Sequence, residues 1–544
     1  MSAKPTKGAA WARALGVWVL LTLAACSAGS TRAPCPAGKV CLEYGNAAEP
    51  ASLDPDKINL VNEGVIVGDL MVGLVEDGPD GRPVPGIATS WDVSPDGLVW
   101  TFHLRQALWS DGAPVTAEDF AFAYRRILDP KTASPYGYML YLLKNGQAVA
   151  SGKAPPSALG VSAPDPRTLV LSLEHPAPYL PQIAKHFSMY PIPRQAVARW
   201  GDAWAQPGHY VSNGPYIPVA WKLGDHIEAV KNPRFYDAAH VCVDRIDYYP
   251  TTDAVAAERR VRRGELDINT NIQSSRVAYL RRPDQAPELV RVAPYLATVY
   301  LPFNGRDVPP LKDRRVREAL SMAIDTDFIT GKLLRAGQSP AHAFVPPQTA
   351  GAHAGAHVRW AGWPLERRQA EARRLLAQAG YGLDRPLKIS LTFPSSSDAM
   401  LYSPAVQADW KAVGVEAELI ANEPQVAYAA LRNRDFQAGL ASWAGDYDDP
   451  ATFLNLMRSG TGAQNYGDYA NPAYDALLDQ ADHERDGGKR ADILARAEQI
   501  MLDDAPVAPL YFTVSRNLVS PRVTGWVDNL ADIHRAQWLC VKGR

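Results

Sequence analysis

The densest acidic cluster is Asp446-Tyr447-Asp448-Asp449. Two carboxylates can serve a glycosidase, one as acid and one as base or nucleophile. Such pairs usually come from different elements rather than one short run. A solvated turn ending at Pro450, or a binding site, is the plainer reading. His342, His353 and His357 lie in a stretch rich in proline, glycine and alanine. On a helix, His353 and His357 would share a face and could hold a metal. Pro346-Pro347 and Gly351 argue for a loop instead, so no metal is expected. There is no GxSxG, no HExxH, no Walker loop and no GxGxxG opening a helix after a strand. The motifs therefore call for neither an enzyme nor a cofactor. Some of the 14 tryptophans and 23 tyrosines could line a cleft for a ligand of varied shape.

Five cysteines are present, and Cys26 stands apart. Lys4, Lys7 and Arg13 precede an apolar run from about Ala14 to Ala25. That run is shorter than the roughly 20 residues a spanning helix needs. It fits a secretory signal over residues 1–25. Its end, Leu23-Ala24-Ala25-Cys26, resembles a bacterial lipobox, in which Cys26 is lipidated. Such a lipid holds a body at a membrane with no transmembrane helix. Removing residues 1–25 takes away three basic and no acidic residues, so the net charge falls from −2 to −5. The other four cysteines, Cys35, Cys41, Cys242 and Cys540, suggest disulfides in an exported chain. Cys35 and Cys41 flank a turn-rich loop that could close locally, which leaves Cys242 for Cys540. A metal site is the rival reading, without CxxC or histidine spacing to support it.

The elements that must position these groups are readable in part. The 544 residues are 47% hydrophobic and 21% charged, an ordinary globular balance. Basic and acidic residues number 56 and 58, which gives no positive field for nucleic acid. Residues 26–50 read as a tether. Trp100, Phe102 and Leu104 alternate on a half-buried strand. Thr116-Ala117-Glu118-Asp119 resembles a capping box, with Phe120, Tyr124 and Ile127 at helical spacing behind it. Asp129-Pro130 ends that helix. Val161 to Leu173 reads as a strand pair around Pro164-Asp165-Pro166. Helices are expected over Asp313–Ile324, from Pro364 to Gly380, from Asn471-Pro472, and over Asp492–Met501, with a strand through Leu387, Ile389, Leu391 and Phe393. The interleaving indicates an α/β or α+β class.

A set of ordered motifs then carries a resemblance. It comprises Ser52-Leu53-Asp54-Pro55, Trp100-Thr101-Phe102-His103-Leu104-Arg105, Trp109-Ser110-Asp111-Gly112 and Ala133-Ser134-Pro135-Tyr136. Asn213-Gly214-Pro215-Tyr216, Gly264-Glu265-Leu266-Asp267 and Trp443-Ala444-Gly445-Asp446-Tyr447 follow. From about Ser52 to Trp526 the chain resembles the periplasmic oligopeptide-binding proteins, the receptors of ATP-driven peptide importers.

The resemblance implies an α/β, two-lobe hinged fold. Lobe I would comprise 51–71, 194–296 and 514–544, the extra domain 72–193, and lobe II 297–513. It implies no catalysis, short peptides as ligand, and an ATP-driven membrane permease as partner. The chain would be a monomer, held by its lipid at a bacterial membrane and facing the periplasm or cell exterior. Peptides share a main chain and an α-ammonium. The resemblance assigns the ammonium to Asp446, with Trp443 in the same segment and backbone groups from Ser442 and Ala444. Asn59 and Val61 would lie along the peptide, Tyr136 would reach in from the extra domain, and Tyr295 and Tyr300 would flank the cleft. Departures are also visible. Ala297 and Ala444 stand where some members carry a disulfide. Pro424 replaces a pocket tryptophan, Asn59 an acidic residue, and Leu440 a basic one. The alternative is a receptor of the same fold for a metal chelate or haem, or a secreted hydrolase.

Overall fold

The computed structural model describes residues 35–270, 272–353 and 355–543. The expected signal segment, Cys26 and most of the tether lie outside them. Alternation works locally as expected. The strand Val99–Leu104 buries Trp100, Phe102 and Leu104. It pairs antiparallel with Ala88–Val93 and with Thr168–Ser172, and the latter pairs with Val161–Asp165. The helix Ala117–Ile127 follows Thr116, whose N–H donates to Asp119 Oδ2 at 2.8 Å. The helix Arg314–Ala323 is capped by Asp313, which accepts from Arg315 N–H at 2.9 Å. Leu365–Gln378 begins immediately after Pro364, and Gly487–Asp504 extends past both ends of its expected range.

The tether expectation over 26–50 needs correction. Cys41–Gly45 is a buried strand, lying parallel between Arg245–Tyr249 and Ile268–Asn269. A short inner strand buried on both faces shows no apolar–polar alternation, and Glu43 disguises it further.

These strands belong to a nine-stranded sheet. Its backbone is a pair of 13-residue strands, Val290–Pro302 and Val507–Val519, running antiparallel from Val290↔Leu518 to Pro302↔Val507. The ladder is irregular between Pro294 and Thr298. One side carries the strands Cys41–Gly45, Arg245–Tyr249, His226–Lys231 and Tyr216–Lys222. At the other end, Ala441–Ala444 pairs with Val290–Pro302 and forms an edge. A separate parallel sheet joins Val415–Asn422, Leu387–Pro394 and Ala438–Gly439. The mixture is α/β, as expected.

Residues 296–511 supply one hydrophobic core of their own, and residues 42–249 supply most of a second. Cys242 and Cys540 form a disulfide across 298 residues of chain, and Cys35 and Cys41 are each disulfide-bonded. Among the described residues no helix is long and apolar enough to cross a membrane.

Candidate ligand-binding site

The edge strand Ala441–Ala444 leads directly into Asp446. Its register is Ala297↔Ala444, Thr298↔Trp443, Val299↔Ser442 and Tyr300↔Ala441. Gly445 N–H donates to Leu296 C=O at 2.7 Å. Backbone direction alternates along a strand, so the N–H and C=O groups of Ser442 and Ala444 face away from the sheet. Ser442 N–H meets Tyr428 Oη at 3.3 Å on that outer side. A strand edge of this kind can be extended by an incoming chain. Gly445 has no room for a side chain, because a Cβ would lie 2.8 Å from Leu296 Cδ2 and 2.9 Å from Thr452 Cγ2.

The acidic run points in several directions. Asp449 is buried and held by both terminal nitrogens of Arg490, at 2.6 and 2.9 Å. Arg490 lies over the Tyr179 ring, which stacks on Tyr447 with centroids 5.3 Å apart. Asp448 Oδ1 accepts from Ala350 N–H at 2.7 Å. These contacts pin the segment and leave Asp446 for the interior. Its N–H donates to Thr452 Oγ1 at 3.1 Å, and its Oδ2 accepts from Tyr138 Oη–H at 2.7 Å. Among the described residues no basic side chain forms an ion pair with it. Burial pushes its carboxyl up to about 6, with hydrogen bonding from Tyr138 and Tyr136 pulling the other way. A half-buried carboxylate without a cation is costly, and a cationic ligand would relieve that cost.

Asp446 lines two cavities. The smaller, about 150 Å³, is lined by Val61, Tyr136, Tyr295, Ala444 and Asp446 among others. Its cations are already engaged, since Lys185 and Arg535 both hold Asp77, at 2.9 and 2.8 Å. The larger, about 580 Å³, contains Tyr138, Tyr141, Tyr179, Trp443 and Arg458 in its wall.

The expected residues largely converge. Asp446, Ala444, Val61, Tyr136 and Tyr295 share the smaller cavity, and Trp443 lines the larger. Val61 opens the helix Val61–Leu70 and is 65% exposed. Ser442 is exposed beside Tyr428, and Asn59 is exposed just before that helix. Tyr300 is the exception. It is 1% exposed and packs edge-on against Phe344, so it belongs to the core and not to the cleft. Ala297 and Ala444 are direct cross-strand partners, where the resemblance implies a cystine in some members. His357 and His353 sit in loop, as expected, with His353 3.4 Å from Asp492.

Other residues were not apparent from the sequence. Tyr138 is one; only its place two residues after Tyr136 hinted at it. Glu63 is another. It is buried and accepts from the N–H groups of Ala51, Asn59 and Leu60 at 2.8, 2.9 and 2.9 Å, which fixes the loop before Val61. Asp54 of the Ser52–Pro55 motif is structural. It and Asp56 share Arg126, which ties this loop to the helix Ala117–Ile127.

Known proteins resemble this chain in sequence and in fold. The model of the bacterial extracellular solute-binding proteins, family 5 Middle, matches residues 82–465. The periplasmic oligopeptide-binding protein OppA of Escherichia coli is 37% identical, over 93% of this chain and 94% of its own length. The probable deoxycholate-binding periplasmic protein YgiS of the same organism is 34% identical, over 89% and 90%. Among solved structures, the murein tripeptide binding protein MppA of Escherichia coli superposes with a TM-score of 0.84 at 35% identity, covering 93% of this chain and 99% of that one. OppA of Haemophilus influenzae in complex with RPPGFSPFR gives 0.82 at 32% identity, with the same coverage.

Proposed function

The chain belongs to the bacterial extracellular solute-binding proteins of family 5, and from that membership we propose that it captures oligopeptides between two lobes and presents them to an ATP-driven importer. This is a family of binding proteins, not of enzymes. The observation that carries the proposal is the half-buried carboxylate of Asp446, which makes no ion pair among the described residues, faces a cavity whose Lys185 and Arg535 are held by Asp77, and lies next to an open strand edge. A peptide's α-ammonium supplies the missing charge. Its main chain extends the edge at Ser442 and Ala444, while Val61, Tyr136 and Tyr295 cover the other side. Recognition of groups common to all peptides tolerates varied side chains.

The lobes are assigned as 51–71, 194–296 and 514–544 for lobe I, 72–193 for the extra domain and 297–513 for lobe II. Two observations support that division. Residues 296–511 have their own core, and a ladder irregularity between Pro294 and Thr298 falls where the assigned boundary cuts the two long strands. A bulged two-stranded ribbon bends more readily than a regular one, so closure over the peptide is a hinge motion there. The permease reads the closed form. Cys26 carries the lipid that keeps the receptor at the membrane.

The test is calorimetric titration with one tripeptide, its N-acetylated form and deoxycholate. The free tripeptide binds and the acetylated one does not. YgiS favours a second reading, a cargo without an ammonium. Binding of deoxycholate with no binding of either peptide would establish that reading instead.

A further inference from the structure

We infer that the first residue of the captured peptide carries a large aromatic side chain, received by the 580 Å³ chamber that Asp446 also lines. The inference rests on the ammonium reading above. The carbon that bears the α-ammonium also bears the first side chain, so that side chain starts beside Asp446. Two cavities open there. The smaller one touches the edge strand at Ala444 and holds Val61, Tyr136 and Tyr295, which the reading above places along the main chain. The larger one is left, and its volume lies within the roughly 300–1,000 Å³ of small-molecule sites.

Its lining selects the chemistry. Tyr138 lies in the short 3₁₀ turn Gly137–Leu140, and Tyr141 follows it. With three residues per turn, positions three apart eclipse, so the two rings share a face. Each is 40% exposed, although both line a cavity. Tyr179 and Trp443 complete an aromatic wall. Stacked and edge-on ring contacts favour another aromatic group over an aliphatic one. Charge is disfavoured. Arg458 is the one arginine or lysine of the lining, which also includes His175, and Asp479 and Asp482 already hold Arg458. An acidic side chain would therefore meet Asp446 with no cation to offset it. Glycine or alanine would leave the chamber open and the rings wet.

The experiment titrates Xaa-Ala-Ala tripeptides, with tryptophan, phenylalanine, glycine or aspartate first, and the N-acetylated phenylalanine peptide. Burying a phenylalanine-sized group favours the aromatic peptides by about 10- to 100-fold over glycine, with aspartate weakest. Ser459 lines the same chamber, so Ser459→Trp narrows it and lowers the phenylalanine-to-glycine ratio. Tyr141→Ala, which removes an exposed ring, lowers the same ratio and serves if the first variant does not fold. Equal affinity for the four free peptides, with the acetylated peptide unbound, overturns the aromatic preference and leaves the ammonium reading standing. Equal binding of the free and acetylated phenylalanine peptides, or no binding of any, overturns the ammonium reading and this inference with it.

Discussion

Asp446→Asn isolates the charge from the shape of the site. The amide oxygen can still accept from Tyr138, so the perturbation is confined to one negative charge. In the empty protein the carboxyl sits at about 6. At pH 7.5 it is almost fully ionised, and at pH 5 only about one molecule in eleven carries the charge. A peptide that requires the carboxylate therefore binds wild type about tenfold more weakly at pH 5 than at pH 7.5. The asparagine variant loses the pair outright, and removing one partner of a buried pair costs about 3–5 kcal/mol, or roughly 10²–10³-fold in affinity. Its remaining affinity does not change between the two pH values. Stability moves the other way. The folded carboxyl is raised from 3.8 to about 6, so between those values the native state binds more protons than the unfolded chain. Stability is then lost as pH rises through that window, by about 3 kcal/mol above it. Empty Asp446→Asn should melt above wild type at pH 7.5 and together with it near pH 3.5. Titration and scanning calorimetry measure both effects. Wild-type affinity that is the same at pH 5 and pH 7.5, or a variant within threefold of wild type, would refute the reasoning.

Tyr138→Phe removes the 2.7 Å hydrogen bond to Asp446. We expect the pH midpoint of peptide binding to move up and affinity to fall about two- to tenfold, read from titrations at several pH values. Arg126→Met leaves Asp54 and Asp56 buried without their shared cation. It should cost about 3–5 kcal/mol in urea unfolding; a loss under 1 kcal/mol would mean the cluster is paired some other way. Replacing Cys242 and Cys540 together by serine opens a loop closed across 298 residues. The expected loss is roughly 2–5 kcal/mol, and wild type should match the variant only after reduction. Cys26→Ser should move the exported protein from the membrane fraction to the soluble one, and retention at the membrane would remove the lipid from its assigned place.

Much of the fold was readable because its signals are local. Alternation in Val99–Leu104, the Thr116–Asp119 capping box and the apolar stripe of Arg314–Ala323 each lie within about a dozen residues, and each formed as expected. The buried strand Cys41–Gly45 was missed because an inner strand has no polar face to reveal its period. Tyr300 was misplaced because a tyrosine near a cleft motif looks the same whether it faces ligand or core.

The candidate site divides along the same line. The residues of the edge strand and Asp446 itself were nameable through the resemblance that their motif carries. What gives Asp446 its chemistry was not. Tyr138 reaches it across 308 residues, Arg490 removes Asp449 from competition, and Asp77 neutralises the lysine and arginine that line the smaller cavity. Whether a carboxylate is neutralised, hydrogen-bonded or left charged beside a cavity depends on groups brought together by packing. The ordered motifs of the sequence carried the resemblance that named the group to meet an ammonium, and only the tertiary arrangement left that group, among the described residues, without an ion-pair partner.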